Sequence, residues 1–394
     1  MIRFVIALCV ARAAAAQVLT FDEALERARQ TGPAIVAARM RIEEARARSI
    51  DASLRFPGNP AVEVEAGRRS GGTSPTDYGV AVAQELQLPA RRNARIDAAR
   101  ALVAQEEQRA REVEREVLRE VATAFLRALE SQERAAAATS GKQLADEALR
   151  IAERRYAAGD VAQLDVNVAR TTVARAEADS RNAAAMVDAH IARVQSLLGM
   201  SAAPAIIGAL RDASTTDQIS VDALDRADVR LLDAEIAEAE AEQRLARTLR
   251  WPGFGVRASY AREEGDRILL GGIGLTLPIF DRGRQASAIA SARLMRLRAE
   301  REALIRTVET EVRGAAASYA ALRNAAIEYE RAVLPLVAEN ERLALESYDV
   351  GQIGLGELLL VRREALDARR AFIDQLIEMR LAEVELRARA GVWK

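Results

Sequence analysis

The sequence predicts a mostly helical protein with a small β part, built as a duplicated unit of helix, β-hairpin and long helical coiled-coil hairpin. Three observations carry this. Of 394 residues, 50% are apolar and only 4% aromatic, and Ala, Glu, Leu and Arg dominate, a mixture typical of long packed helices. Apolar residues recur at alternating three- and four-residue spacing over about a hundred residues near the C-terminus. The order of segments in the first half then reappears in the second, about 190 residues on. The 57 basic and 58 acidic residues are interspersed along helix faces, leaving net charge −1 and no basic block, so nucleic acid is not an expected partner.

In chain order, residues 1–16 read as a short secretory signal: Arg3 precedes an apolar run and a small-residue cleavage site at Ala16. Cys9 alternatively marks a lipid-attachment site, although Leu8 is bulkier than the residue normally preferred before such a cysteine. No later stretch approaches the ~20 apolar residues of a spanning helix, so any passage through a membrane falls to strands. The first repeat occupies residues 17–200. Thr20 with Glu23 forms a capping box that opens a helix running to about Arg55, and Phe56-Pro57-Gly58 stops it. Val62, Val64 and Ala66 alternate with Glu63 and Glu65, then Tyr78, Val80 and Val82 alternate with small residues across a Gly/Ser/Pro loop, which predicts a hairpin over 61–88. A helical rod follows over 92–198, reversing at a tip, 156–162, where Gly159 permits the turn.

Residues 201–220 form a turn-rich linker, and 221–394 the second repeat. Its helix, 221–249, ends at Trp251-Pro252; a hairpin spans 254–279; and a rod spans 286–390 with a tip at 348–356. Before that tip Leu297, Ile305, Val308, Val312, Ala315, Tyr319, Leu322, Ala326, Tyr329, Val333, Leu336 and Leu343 form a heptad seam, with Arg301 and Asn340 at two of its positions. After it Leu358, Val361, Ala365, Ala368, Phe372 and Met379 predict a returning antiparallel helix. At 1.5 Å per residue the arms reach roughly 90 Å and roughly 45 Å. Tyr156-x-x-Gly159 matches Tyr348-x-x-Gly351, and Arg170 matches Arg362. Pro335 is expected to bend or loosen its helix.

Each strand is about 9–11 residues with one apolar side, the length a tilted outer-membrane strand needs. Four strands cannot close a barrel, whereas three copies would supply about twelve. Strand patterning alone leaves open a pair of soluble hairpins capping a helical bundle.

This order, from Leu19-Thr-Phe-Asp-Glu-Ala-Leu25 through Arg250-Trp-Pro252 and Gly271-Gly-Ile-Gly-Leu-Thr-Leu-Pro-Ile-Phe-Asp-Arg-Gly283 to Tyr348-x-x-Gly351, resembles the TolC-like outer-membrane factor family of tripartite efflux and type I secretion systems. Gln84-Glu-Leu-Gln-Leu-Pro89 with Arg91 and Arg92 is most similar to the branch serving cobalt-zinc-cadmium or copper-silver efflux. The resemblance implies a homotrimer in outer-membrane lipid, its twelve-stranded barrel continued by an α-helical barrel through the periplasm. It also implies a passive duct, served by a periplasmic adaptor and an inner-membrane pump of the RND type, with metal cations as cargo. It places adaptor docking on Tyr156, Gly159, Asp160 and Val161 and on Tyr348, Gly351, Gln352 and Ile353. It places an acidic gate at Asp165 and Glu357, with Leu360 where the family carries a second acid. Alternatives are a duct for secreted protein or small organic molecules, and, from another class, a non-porous periplasmic coiled-coil scaffold.

No enzymatic motif is present: Gly271-Gly-Ile-Gly274 lacks the helix start of a nucleotide loop, and there is no HExxH, P-loop or nucleophile elbow. No cofactor is expected. His190, the single histidine, reads as a helix-surface residue, too isolated for a metal site within one chain.

Overall fold

The computed structural model describes residues 18–68, 70, 76–211, 225–263 and 265–393. The signal, with Cys9, most of the first hairpin loop and much of the linker lie outside them. In order, the elements are β1 (Val18–Leu19), α1 (Phe21–Thr31), α2 (Pro33–Ser53), β2 (Ala61–Arg68), β3 (Thr76–Leu86), α3 (Pro89–Ala158), α4 (Gln163–Leu198), β4 (Ala205–Ile206), α5 (Ala227–Thr248), β5 (Gly253–Glu263) and β6 (Asp266–Thr276). A long α6 (Arg284–Glu328) then passes through a π turn (Tyr329–Val333) into α7 (Leu334–Asp349), and α8 (Leu355–Ala390) returns. The chain folds into two compact units, each drawing on both repeats: residues 1–36, 114–222 and 308–394 in one, 37–113 and 223–307 in the other.

The expected capping box is present, with Thr20 N–H donating to Glu23 Oε2 at 2.9 Å and Glu23 N–H to Thr20 Oγ1 at 3.4 Å. The single first helix is not. It stops at Gly32, whose ψ of 122° is extended, and restarts at Pro33. The ring of Pro33 disfavours the helical region for the residue before it and suits a helix start. The two-residue strands β1 and β4, paired in parallel, had no counterpart in the sequence reading.

In the second unit the two hairpins join edge to edge as one antiparallel sheet in the order β2-β3-β5-β6. Register aligns Val62, Val82, Ala258 and Gly271 across it, and likewise Val64, Val80, Tyr260 and Leu269. One face is therefore a continuous apolar surface, exposed in the single chain. The other carries small residues, including Gly79, Ala81, Gly255 and Gly272, and an ion pair from Arg257 to Glu63 at 2.8 Å. Below the sheet Arg91 donates to the Thr248 carbonyl (3.2 Å) and Arg92 to the Ser53 carbonyl (2.7 Å), satisfying the last carbonyls of α5 and α2.

In the first unit α6 follows the expected seam through Val308, Val312 and Ala326, which are buried. Beyond the π turn the seam moves on by one residue. Leu336 and Leu343 are 65% and 44% exposed, while Ala344 and Tyr348 are 7% and 1% exposed. Pro335 accounts for the change, since it cannot donate to the carbonyl four residues back and its ring crowds that carbonyl. The backbone widens, and Leu334 N–H donates to Tyr329 five residues back.

An ion-pair cluster around the buried Glu238 ties α5 to α6 in the second unit: Arg293 reaches Glu238 and Glu242, both at 2.7 Å. Burial, with the Glu242 charge beside it, pushes the Glu238 carboxyl up to about 7 against the pull of Arg293. A folded pKa raised above the unfolded value of an acid means that the folded state holds the extra proton, so stability falls as pH rises from about 4.5 to about 7. Glu238→Gln is expected to flatten this dependence in denaturation midpoints recorded between these limits.

Helix-turn tips and flanking acids

Both helix reversals lie in the first unit and are built alike. At the end of α3, Gly159 has φ +84°, its N–H donates to the Tyr156 carbonyl (3.0 Å), and Asp160 N–H donates to that of Arg155 (2.9 Å). At the end of α7, Gly351 has φ +78°, with matching bonds to Tyr348 (3.1 Å) and from Gln352 to Ser347 (2.8 Å). This pair of bonds is the Schellman motif, which leaves a helix within two residues and requires the left-handed conformation that glycine adopts without penalty.

The helices that follow start on the two acids. Asp165 Oδ2 accepts the Ala162 N–H at 3.2 Å, and Glu357 Oε2 accepts the Gly354 N–H at 3.1 Å. Ala162 and Gly354 have no side chain to return the bond, so each acid supplies the reciprocal half of a capping box alone. A negative group in the first turn also suits the helix dipole. Asp165 is half-buried and Glu357 exposed, with Leu360 exposed on the next turn.

The tips differ in what their tyrosines touch. Tyr348 is enclosed by Ala148, Ala152, Val166, Ala169, Leu355 and Leu358, and the Arg155 guanidinium lies 4.4 Å from its ring centre. Its hydroxyl is buried and makes no hydrogen bond among the described residues. Tyr156, its counterpart, is 46% exposed. Val161 and Ile353 are half-buried, while Gly159, Asp160, Gly351 and Gln352 are exposed. Arg362 is buried against α3 and donates to the Leu144 carbonyl (3.4 Å), whereas Arg170 is exposed and pairs with Glu153 at 2.9 Å.

Above the tips a cleft of about 540 Å³ separates α4 from α8, lined by Val168, Asp179, Leu359, Leu360 and Arg370. Its floor is α3, which approaches α8 closely at Gly141, where a Cβ would lie 3.3 Å from Leu366. The sequence reading missed this cleft, although the small residues Ala138, Gly141 and Ala145 on one face of α3 signal it. His190 is half-buried and lines a second cleft beside Arg127, Glu130 and Asp374.

A sequence profile described as Outer membrane efflux protein matches residues 24–200 and 221–392. The chain belongs to the outer membrane efflux protein family. Curated proteins give no significant sequence match. Among solved structures it is similar to a membrane protein from Pseudomonas aeruginosa, at 24% identity and TM-score 0.77 over 94% of this chain and 93% of that one. It is also similar to CusC, at 18% identity and TM-score 0.78 over 94% and 92%. The Campylobacter jejuni CmeC outer membrane channel matches at 16% identity and TM-score 0.77 over 94% and 85%. At these identities the likeness is one of fold, and the profile carries the function.

As an outer membrane efflux protein the chain is a transport duct of the outer membrane, reaching into the periplasm, and not an enzyme. That excludes the non-porous scaffold. Among the described residues no helix is long and apolar enough to cross a membrane. In this efflux protein Gly351→Ala should cost roughly 1–2 kcal/mol through its left-handed backbone. Tyr348→Phe should cost nothing, because it removes a polar atom that has no partner among the described residues. Hydrogen exchange of the α7 amides reads both.

Proposed function

We propose that three copies of this chain form a passive exit duct, into which an inner-membrane pump of the RND type and a periplasmic adaptor deliver metal cations. The observation that carries the reading is the four-stranded sheet, apolar along one face and ending in strands β2 and β6, which have no further strand neighbour among the described residues. In hydrocarbon each unpaired backbone group would cost several kcal/mol, and sharing edges among three copies removes them all. The result is about twelve strands, within the range of closed barrels.

Asp165 and Glu357 are the gate in this reading. Repeated by symmetry, they surround the narrow end with like charge, which favours cations. The two tips, Tyr156 with Gly159, Asp160 and Val161, and Tyr348 with Gly351, Gln352 and Ile353, are the adaptor's docking points, where exposed glycines allow another helix end to approach. The metal cargo rests on the acids and on the resemblance of 84–92 to metal-efflux members. Arg91 and Arg92 also cap the ends of α5 and α2.

Protein extracted from the outer membrane should run as a heat-labile trimer and conduct ions in a planar bilayer. Asp165→Ala with Glu357→Ala should raise single-channel conductance and weaken cation preference; unchanged values would remove both acids from the gate. Deletion of the gene should sensitise cells to metals. Sensitivity to detergents or antibiotics alone would move the cargo to small organic molecules.

A further inference from the structure

We propose that α7 is a two-register element, in which the π turn at Tyr329–Val333 is a movable extra residue whose passage toward the tip rotates α7 and releases Tyr348. The inference rests on the duct reading for its consequence, but not for its geometry. One added residue turns an α-helix by about 100°. The seam that α6 establishes, Val308, Val312, Ala315, Tyr319, Leu322, Ala326 and Tyr329, would continue without the π turn through Val333, Leu336, Asn340, Leu343 and Ser347. It continues instead through Leu334, Val337, Glu341, Ala344 and Tyr348. The sequence thus holds two adjoining stripes on α7. The unused one is as rich in aliphatic residues as the other, and carries Leu336 and Leu343 exposed.

The present register has ties of its own on the helix and on α8. The Tyr329 hydroxyl donates to the Ala368 carbonyl at 3.2 Å, and the Tyr329 ring stacks on Phe372 at 6.1 Å and 14°. Arg211 lies 4.9 Å from the Phe372 ring centre and 3.5 Å from Glu330. Beyond the turn, Glu341 pairs with Arg369 at 2.5 Å, and Tyr348 sits beneath Arg155. Against these stand the buried Tyr348 hydroxyl, which lacks a partner among the described residues, and the widened helical turn itself.

In the other register Asn340 replaces Glu341 opposite Arg369, and Ser347 replaces Tyr348 in the tip cluster. Arg155 then loses the tyrosine ring, and the second tip separates from the first. The extra residue is taken up by 350–354, which already lies outside the helices. The first repeat has no such device. Counting back from each tip tyrosine, Gln143 stands where the second has Pro335, and α3 runs unbroken through that stretch. Only the second repeat can move in this way, so the two tips differ in mobility although their turns match.

The test uses the full chain purified from the outer membrane, with single cysteines in a Cys9→Ser background, since Cys9 is the only cysteine in the sequence. A water-soluble maleimide should label Leu343→Cys fast and Ala344→Cys slowly. Pro335→Ala removes the reason for the π turn and should shift the ratio of the two rates by about tenfold or more toward Ala344→Cys. Deleting Ala332 should instead shorten the π turn to an α-helical one, keep Tyr348 in the seam and suppress the slow labelling of Ala344→Cys. Rates unchanged by both alterations would overturn the inference. So would a Leu343→Cys that reacts only after the oligomer is dissociated, because its stripe would then be the contact with a second copy. Single-channel conductance, raised by Pro335→Ala and lowered by the deletion, reads the consequence. A labelling shift in protein that forms no channel would retain the register change and reject the duct.

Discussion

Unpaired strand edges constrain this molecule more than any other feature. The four strands give a sheet whose apolar face, from Val62 and Val64 through Val80 and Tyr260 to Leu269, suits hydrocarbon, while its β2 and β6 edges do not. A polar edge left in lipid is a penalty that no helix of this chain is placed to relieve within the sheet itself. Closing the ring with further copies, as proposed, would satisfy the edges and turn the apolar face outward. The small residues Gly79, Ala81, Gly255 and Gly272 then face the bore, which leaves it wide. In the proposed duct the constriction is assigned instead to the helix starts, where Asp165 and Glu357 stand in matched positions.

The helices answer a second constraint, which is to carry two nearly equivalent repeats with unequal lengths. Pro89 and Pro278 mark the same point after each hairpin, yet the second repeat uses three more residues than the first to reach its tip tyrosine. The segment 279–283 ahead of α6 lies outside any helix, and within the helical run that follows the π turn inserts one extra residue. This one residue decides which side chains meet α8. It buries Tyr348 and leaves Leu343 in solvent, so the difference between the two tips originates some fifteen residues away from them.

Much of the fold was legible because its signals are local. Period-two alternation at Val62–Ala66 and Tyr78–Val82 identified strands and the face they share, Thr20 and Glu23 identified a helix start, and Gly159 and Gly351 identified turns. The rest depended on choices that spacing does not make. The heptad runs smoothly through Val333, Leu336 and Leu343, and Pro335, expected to bend or loosen the helix, is preceded by a π turn that adds a residue and changes the seam. Gly32-Pro33 breaks the first helix although apolar residues continue across it, and β1 and β4 are too short to show any period. For the candidate site, the positions of Asp165 and Glu357 were visible, but not that the helices start at Ala162 and Gly354, which makes the two acids caps in their own right.

The claim that neighbouring copies complete the sheet is the centre of the account, and cysteine crosslinking across the open edges tests it most directly. One cysteine is fixed on β2 at Val64 and a second is moved along β6 through Leu269, Gly271 and Ile273, all on the apolar face. The account predicts that oxidation in intact outer membranes joins chains into dimers and trimers, at some register of the pair, and into nothing larger. A crosslink found only within one chain, or a ladder that continues past three, would contradict it.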